Sequence, residues 1–329
     1  MKVDDFAIDL PLASGGVLRG ARCRYATWGR LNTAKDNLVL YPTRFGGTHE
    51  QNAFLIGPGK ALDPERYCIL VPNMLGNGAS SSPSNTSHFP LVTHADNIEL
   101  QRRLLSARFQ DAPIALAVGW SMGAQQSYRW AVEEPDRVVR LLTVCGTART
   151  TPHNRVFLEG VLAALGADPR FGTDASPIAG LRAAGRVYAG WAYSQPWIKR
   201  AGYRDPEYAQ TYGTFDSLND WLENYWDKLF TARSADDIAA CARTWIANDV
   251  ADGGDLDASL DRITAKTLVM TATTDLYFTP EDCRAEAEMI PNAMYRDIET
   301  DWGHMCGSGQ SIADTTLIDD AIAECLAWT

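Results

Sequence analysis

The chain has 329 residues, enough for one large domain or for a domain with a substantial insertion. Its 46% hydrophobic and 22% charged content belongs to a folded globular chain and excludes a disordered one. A net charge of −11 argues against nucleic acid or an anionic membrane surface as partner, favours solubility and decides little else.

The chain opens on MKVDDFAIDLPL, which carries acids and has no apolar h-region, so no secretory signal is expected. No stretch reaches the roughly 18 apolar residues of a membrane span. The seven cysteines, at positions 23, 68, 145, 241, 283, 306 and 325, are scattered, odd in number and without a C-x-x-C pair. That usage points to reduced thiols in a cytoplasmic protein, with neither a disulfide framework nor a metal site. Each cysteine reads as a packing residue, and only for Cys306, two residues from His304, does a role at the edge of the candidate site stand as the alternative.

The first 45 residues alternate short apolar runs with turns, as in VLRGARCRYATWG and NLVLYPT, and read as antiparallel edge strands leading into a buried one. CILVPN (68–73) and IALAVGW (114–120) are continuous apolar runs, the pattern of strands covered on both faces. Between them THADNIELQRRLLSARF has helical spacing, with Thr93 or Asp96 as its start. MGAQQSYRWAVEEPDRV reads as a helix ending before Pro135, and VRLLTVCG (139–146) as another buried strand. Strands alternating with helices imply βαβ units and a parallel sheet. From 154 to 250 the pattern becomes helical and aromatic, and TLVMTAT (267–273) and MYRDIET (294–300) then restore strands before a terminal helix. The expected architecture is a core of 1–150 and 260–329 with a helical cap, 151–259, inserted between.

The chemistry concentrates at GWSMG (119–123), a Gly-x-Ser-x-Gly frame. Such a frame arises by chance in about one chain in ten of this length, so the five letters alone decide little. Their setting decides more, because a buried strand leads in and a helix leads out, as a nucleophile elbow requires. Ser121 is the expected nucleophile. A serine hydroxyl needs a base, and the base needs an orienting carboxylate, in the chain order Ser, Asp or Glu, His. His49, His88, His94 and His153 precede any suitable acid, which leaves His304, in DWGHMCG, as the base. Asp275 follows the TLVMTAT strand directly and is the expected acid, whereas Glu281 and Asp282 open a helix and Asp301 reads as a loop residue.

An oxyanion hole needs two N–H donors. Met122 offers one, and the loop after the first buried strand, YPTRFGG, offers the other through Thr43 or Arg44. The Arg44 side chain is either a contact for an acidic substrate group or a solvated cation. IGPGKAL (56–62) lacks the phosphate-loop pattern and reads as a turn, and LGNGASSSPSN (75–85) reads either as pocket lining or as a solvent loop. The aromatics of the helical stretch, Tyr188, Trp191, Tyr193, Trp197, Trp221, Tyr225 and Trp226, read mainly as packing, with a few left to line an apolar acyl pocket.

IGPGKALDPERYCILVPNMLGNG, HFPLVTHADNIELQRRLL and VGWSMGAQQSYRWAVEEPDRV, with TDLYFTPED and GHM further on, resemble the homoserine O-acetyltransferase family of the α/β-hydrolase fold. The resemblance implies a mostly parallel central sheet flanked by helices, and Ser121, Asp275 and His304 as nucleophile, acid and base. It also implies an acetyl-serine formed from acetyl-CoA and a homodimer. Three departures stand out. Trp120 and Ala124 replace two glycines of the family's elbow, and GNGASSSPSN replaces its Gly-Ser-Thr-Gly-Pro-type loop. Met305 stands where the family has an Asp that helps hold the amino group of homoserine. Arg44, Trp120 and Met305 are therefore the candidate pocket residues, and the amino-acid acceptor site is expected to be lost. The expected activity is hydrolysis of an ester, thioester or related acyl substrate with no bound cofactor. The alternatives are an acetyltransferase, with acetyl-CoA or another acyl-CoA as co-substrate, and a catalytically silent binding protein of the same fold.

Overall fold

In the computed structural model, which describes residues 1–328, eight strands form one sheet in the order β1-β2-β4-β3-β5-β6-β7-β8. β1 (Lys2–Pro11) and β2 (Val17–Trp28) form an antiparallel hairpin whose burial alternates along the strands, as expected for a sheet edge with one wet face. β2 pairs antiparallel with β4 (Cys68–Pro72), and every later pairing is parallel. β3 (Leu38–Leu40), β4 and β5 (Ile114–Trp120) are wholly buried. β6 (Arg140–Val144) and β7 (Lys266–Ala272) expose only their first residues, and β8 (Ala293–Ile298) closes the far edge.

Helices cover the sheet where the pattern of apolar residues placed them. α1 (His94–Phe109) starts at Thr93, whose backbone N–H donates to Asp96 Oδ2 at 2.6 Å in a capping box, so the two candidate start residues are the two halves of one cap. α2 (Met122–Glu133) begins immediately after Ser121 and stops ahead of Pro135. Between β6 and β7 there is no strand among the described residues, only α3 (Pro152–Gly166), α4 (Ile178–Ala192), α5 (Gln195–Lys199), α6 (Pro206–Tyr212), α7 (Leu218–Trp221), α8 (Lys228–Thr231), α9 (Ala235–Ile246) and α10 (Leu256–Leu260). α7 and α8 are joined by a single wide π turn, Leu222–Asp227. Aromatic stacking holds this segment together: Tyr193 lies on Trp197 with ring centroids 4.0 Å apart, and Trp221 and Tyr208 close around them. α11 (Pro280–Glu288) is capped by Thr279, which accepts from Asp282 N, and α12 (Ile312–Ala327) ends the chain.

The serine-rich stretch 75–85 is neither a pocket wall nor a solvent loop over most of its length. Ser80 and Ser81 accept hydrogen bonds from Arg24 N and Arg22 N, both at 3.0 Å, and Ser80, Ser81 and Ser82 are buried. The Ser80 and Ser81 hydroxyls serve the β2 backbone in place of a strand partner, and Ser82 Oγ bonds Gly78 N and Ser80 O within the loop, which is why a polar sequence is buried here. The 56–62 segment is a turn, closed by Gly57 N donating to Leu62 O. No helix among the described residues is long and apolar enough to cross a membrane.

Candidate active site

The site forms at the carboxyl ends of the parallel strands, where open α/β sheets present their crevice. β5 ends in Ser121, whose backbone sits at φ 60°, ψ −130°, a conformation that costs a non-glycine residue about 1–3 kcal/mol. Ser121 N donates to Val144 O of neighbouring β6 at 3.0 Å, and Gln125 N donates to Ser121 O, so the turn is held from both sides. The flanking glycines are required by space. A Cβ on Gly119 would lie 2.2 Å from the carbonyl carbon of Gly123, and one on Gly123 would lie 2.6 Å from Pro42 O.

β7 and β8 supply the other two groups. His304, on a short 3₁₀ turn (Gly303–Ser308) after β8, places Nε2 2.9 Å from Ser121 Oγ and Nδ1 2.8 Å from Asp275 Oδ2. A carboxylate only accepts, so Nδ1 carries the proton and Nε2 is free to accept from the serine hydroxyl. Asp275 Oδ1 is occupied by Tyr277 N at 2.7 Å and Phe278 N at 3.1 Å, which fixes the carboxylate against rotation. All three side chains are buried. The imidazole is walled by Trp120 (ring centroids 5.0 Å apart, stacked), Tyr277 (4.7 Å, edge-on) and Phe278 (5.5 Å).

The remaining histidines lie elsewhere. His49 bonds Asn73, His94 bonds Gln125 within the core, and His88 and His153 are exposed. Asp301 pairs with Arg200 and Asp282 caps α11, so neither competes with Asp275.

β3 lies beside β5, which brings the loop 43–47 against the start of α2. Gln126 Nε2 donates to Thr43 O at 2.9 Å and ties the two together. The two candidates for the second oxyanion donor now separate. Thr43 N donates to Pro72 O at 3.2 Å and Thr43 Oγ1 accepts from Met74 N, so Thr43 anchors the loop and its N–H is spent. Arg44 N has no acceptor among the described residues. Met122, as first residue of α2, has no intrahelical acceptor for its N–H either.

Above Ser121 lies a cavity of about 140 Å³. Arg44, Trp120 and Met305 all line it. Tyr188, Tyr225 and Trp226 of the helical segment line it too, whereas Trp191, Tyr193, Trp197 and Trp221 pack away from it. Sequence reasoning missed Phe45, Tyr212, Leu229, Phe230, Arg233 and Gln310; Leu229, Phe230 and Arg233 follow Tyr225 and Trp226 at i+4 spacing, a signal that could have grouped them, whereas Phe45, Tyr212 and Gln310 come from separate elements and share no spacing. Arg44 and Arg233 form no ion pair with a carboxylate among the described residues, and burial draws both guanidinium groups below their ordinary pKa. The Arg44 side chain instead donates to Asn52 Oδ1 at 3.3 Å and lies over Trp120, 4.6 Å from the ring centroid.

Cys306 is not at the pocket edge. Its thiol is fully buried, 3.5 Å from Cys145 Sγ. Cys145, Asp275 and His304 bring one potential ligand atom each within 4.8 Å of one another, but the Asp275 and His304 atoms are engaged as above. Burial holds the Cys145 thiol well above its usual pKa, which keeps it a neutral thiol and a poor cation ligand.

Residues 37–306 match a family model described as the alpha/beta hydrolase fold. The chain is 34% identical to an ethyl acetate hydrolase from Pseudomonas veronii over 97% of this chain and 93% of that protein. It is 30% identical to a homoserine O-acetyltransferase from Thermobifida fusca, over 90% of this chain and 86% of the relative. Among solved structures, an acetylester hydrolase from Corynebacterium glutamicum superposes with a TM-score of 0.94 at 34% identity, covering 99% of this chain and 96% of that one.

Proposed function

The chain belongs to the alpha/beta hydrolase fold family, and from that premise we propose that it hydrolyses short-chain carboxylic esters, acetyl esters foremost, through an acyl-serine. The observation that carries the reading is the unbroken hydrogen-bonded chain from Ser121 Oγ through His304 to Asp275, at 2.9 and 2.8 Å, opening into a cavity of about 140 Å³. In this reading Ser121 Oγ attacks the ester carbonyl while His304 Nε2 takes its proton. Asp275 holds the imidazole in the right tautomer and balances the imidazolium. The N–H groups of Met122 and Arg44 receive the negative charge of the tetrahedral intermediate. Collapse expels the alcohol, which takes the proton from His304. Water, deprotonated by the same nitrogen, then attacks the acyl-serine, and the acid leaves with Ser121 restored. The cycle consumes ester and water and calls for no cofactor.

The helical segment 151–259 acts as the cap over a core of 1–150 and 260–329, and its aromatic rings exclude water from the acyl group. Hydrolysis is favoured over transfer to homoserine because Met305 lines the cavity and offers no charge to an ammonium group. The resemblance to the acetyltransferases extends the reading to a homodimer, which sedimentation velocity tests. A cytoplasmic setting is consistent with seven cysteines that are all unpaired and buried.

The test is direct. The purified protein is given ethyl acetate or p-nitrophenyl acetate, and separately acetyl-CoA with homoserine. Release of acetate from the esters, abolished in Ser121→Ala, is the expected result. O-acetylhomoserine formed at a rate above ester hydrolysis would overturn the hydrolase reading.

A further inference from the structure

The residue before the nucleophile carries more contacts to the reacting groups than a strand residue needs. One face of the Trp120 indole stacks on the His304 imidazole at 5.0 Å and 29°. The Arg44 guanidinium also lies over this ring system, 4.6 Å from the centroid. The Trp120 indole Nε1–H donates to the backbone carbonyl of His304 at 3.1 Å, a bond buried from solvent. Its edge meets the backbone of Gly307 so closely that a Cβ there would lie 2.4 Å from Trp120 Cδ1. One side chain therefore touches the base, the turn that carries the base, and the residue whose N–H faces the oxyanion.

These contacts matter because the three groups come from three strands: Gln126 ties the Arg44 loop to α2 and His304 bonds Ser121, and the Trp120 side chain joins the Arg44 loop to the His304 turn. Ser121 follows β5, Arg44 follows β3 and His304 follows β8, at the far edge of the sheet. The 3₁₀ turn Gly303–Ser308 has no sheet pairing of its own, so the position of Nε2 depends on what braces the turn. Asp275 braces the ring through Nδ1, and Tyr277 and Phe278 border it. Trp120 adds the one ring stacked face to face on the imidazole, and its bond to the His304 carbonyl braces the turn itself. When His304 gains its proton, the indole face presents electron density to the new cation.

We infer that, granted the acyl-serine chemistry above, Trp120 is the positioning residue that sets His304 and the Arg44 loop in register with Ser121. A tryptophan there is also consistent with the glycine at 307, where the Trp120 ring itself leaves no room for a side chain.

The experiment compares Trp120→Phe and Trp120→Leu with wild type, after circular dichroism and melting curves show them folded. Two readouts are taken: kcat and KM for p-nitrophenyl acetate, and the rate at which a fluorophosphonate labels Ser121. Phe keeps a ring on the imidazole and loses only the Nε1–H bond, so a loss of about tenfold in kcat is expected. Leu loses both, with an expected loss of about 100-fold in kcat and a parallel fall in labelling rate, at nearly constant KM. Wild-type kcat and labelling in both folded variants would overturn the inference, as would a loss confined to KM, which would make Trp120 only a pocket wall. Should the Trp120→Leu chain fail to fold, Gly307→Ala supplies the perturbation from the other side. Alone it is expected to lower kcat, and in the Trp120→Phe background, where the smaller ring leaves space, to cost little more. Additive losses would count against the inference. A wild-type protein that neither hydrolyses the ester nor takes the phosphonate would fail the acyl-serine reading itself, which separates the two failures.

Discussion

The strand ends and the helical insertion face the same cavity under different constraints. Ser121, Asp275, His304 and the Arg44 loop sit at the ends of strands whose register is fixed by paired backbone, and small changes there meet backbone atoms directly. Tyr188, Tyr225, Trp226 and Leu229 reach the cavity from helices that owe their position to aromatic side chains packed on one another. Backbone register holds atoms to the tolerance that proton transfer requires, whereas side-chain packing sets only the shape of a wall. The expected consequence is that strand-end substitutions act on kcat and insertion substitutions act on substrate choice.

The largest effect is expected from Ser121→Ala: a loss of about 10⁴–10⁶-fold in kcat with an unchanged melting temperature, read by ester hydrolysis and calorimetry. Activity within tenfold of wild type would remove Ser121 from the chemistry. Gly123→Ala comes next. Its Cβ would stand 2.6 Å from Pro42 O, so α2 and the Arg44 loop must part, and kcat is expected to fall about 100-fold through misaligned N–H donors. A change in KM with kcat intact would break the assignment of the hole to these two segments. Tyr225→Ala probes the other region. It widens the cavity, and the ratio of kcat/KM for butyrate over acetate esters is expected to rise by about tenfold while kcat for acetate changes little. An unchanged ratio would mean that the insertion does not set acyl length.

The smallest effect concerns a group that links the regions. Glu286 of α11 accepts from Ala148 N at 2.6 Å and Arg149 N at 3.1 Å, bracing the segment that leads from β6 into α3. Burial pushes its carboxyl up from 4.5 to about 8, with the two backbone N–H bonds opposing. Between those values the folded chain keeps a proton that the unfolded chain has released, so this contribution to stability is full below pH 4.5 and is lost as pH rises towards 8. His94, lowered from 6.5 to about 4 by burial, acts in the opposite sense, and only below pH 6.5. In urea unfolding between pH 6.5 and 8 His94 no longer contributes, and comparison with Glu286→Gln separates the Glu286 part from that of other groups that burial raises, such as the cysteine thiols. Wild type is expected to lose stability across that window and Glu286→Gln to lose distinctly less; equal slopes would contradict the assignment.

The same contrast explains what the sequence revealed. Strands with continuous apolar runs, a serine at a strand-to-helix turn, and an Asp and a His after later strands are local patterns, and each was legible before any coordinates. The choice between Thr43 and Arg44 was not, because it depends on which N–H the neighbouring strand consumes. The cavity wall was only partly legible: Tyr225, Trp226, Leu229, Phe230 and Arg233 share a helical spacing, but Phe45, Tyr212 and Gln310 converge on it from elements far apart in the chain. Ser80 and Ser81 misled because their hydroxyls satisfy the edge of β2, and Ser82 because its hydroxyl ties its own loop, roles that composition does not reveal. Trp120 stands out in the sequence as a replacement for a glycine of the elbow, and its contact with His304, 184 residues away, emerges only in three dimensions.

The most direct test of the central claim is to mix the enzyme with p-nitrophenyl acetate, quench with acid within one turnover, and map the modified peptide by mass spectrometry. The site described here predicts a single acetyl group on Ser121, formed before acetate is released and absent from Ser121→Ala. Ester turnover with no acetyl on Ser121, or with the acetyl on another side chain such as Cys306, would contradict it.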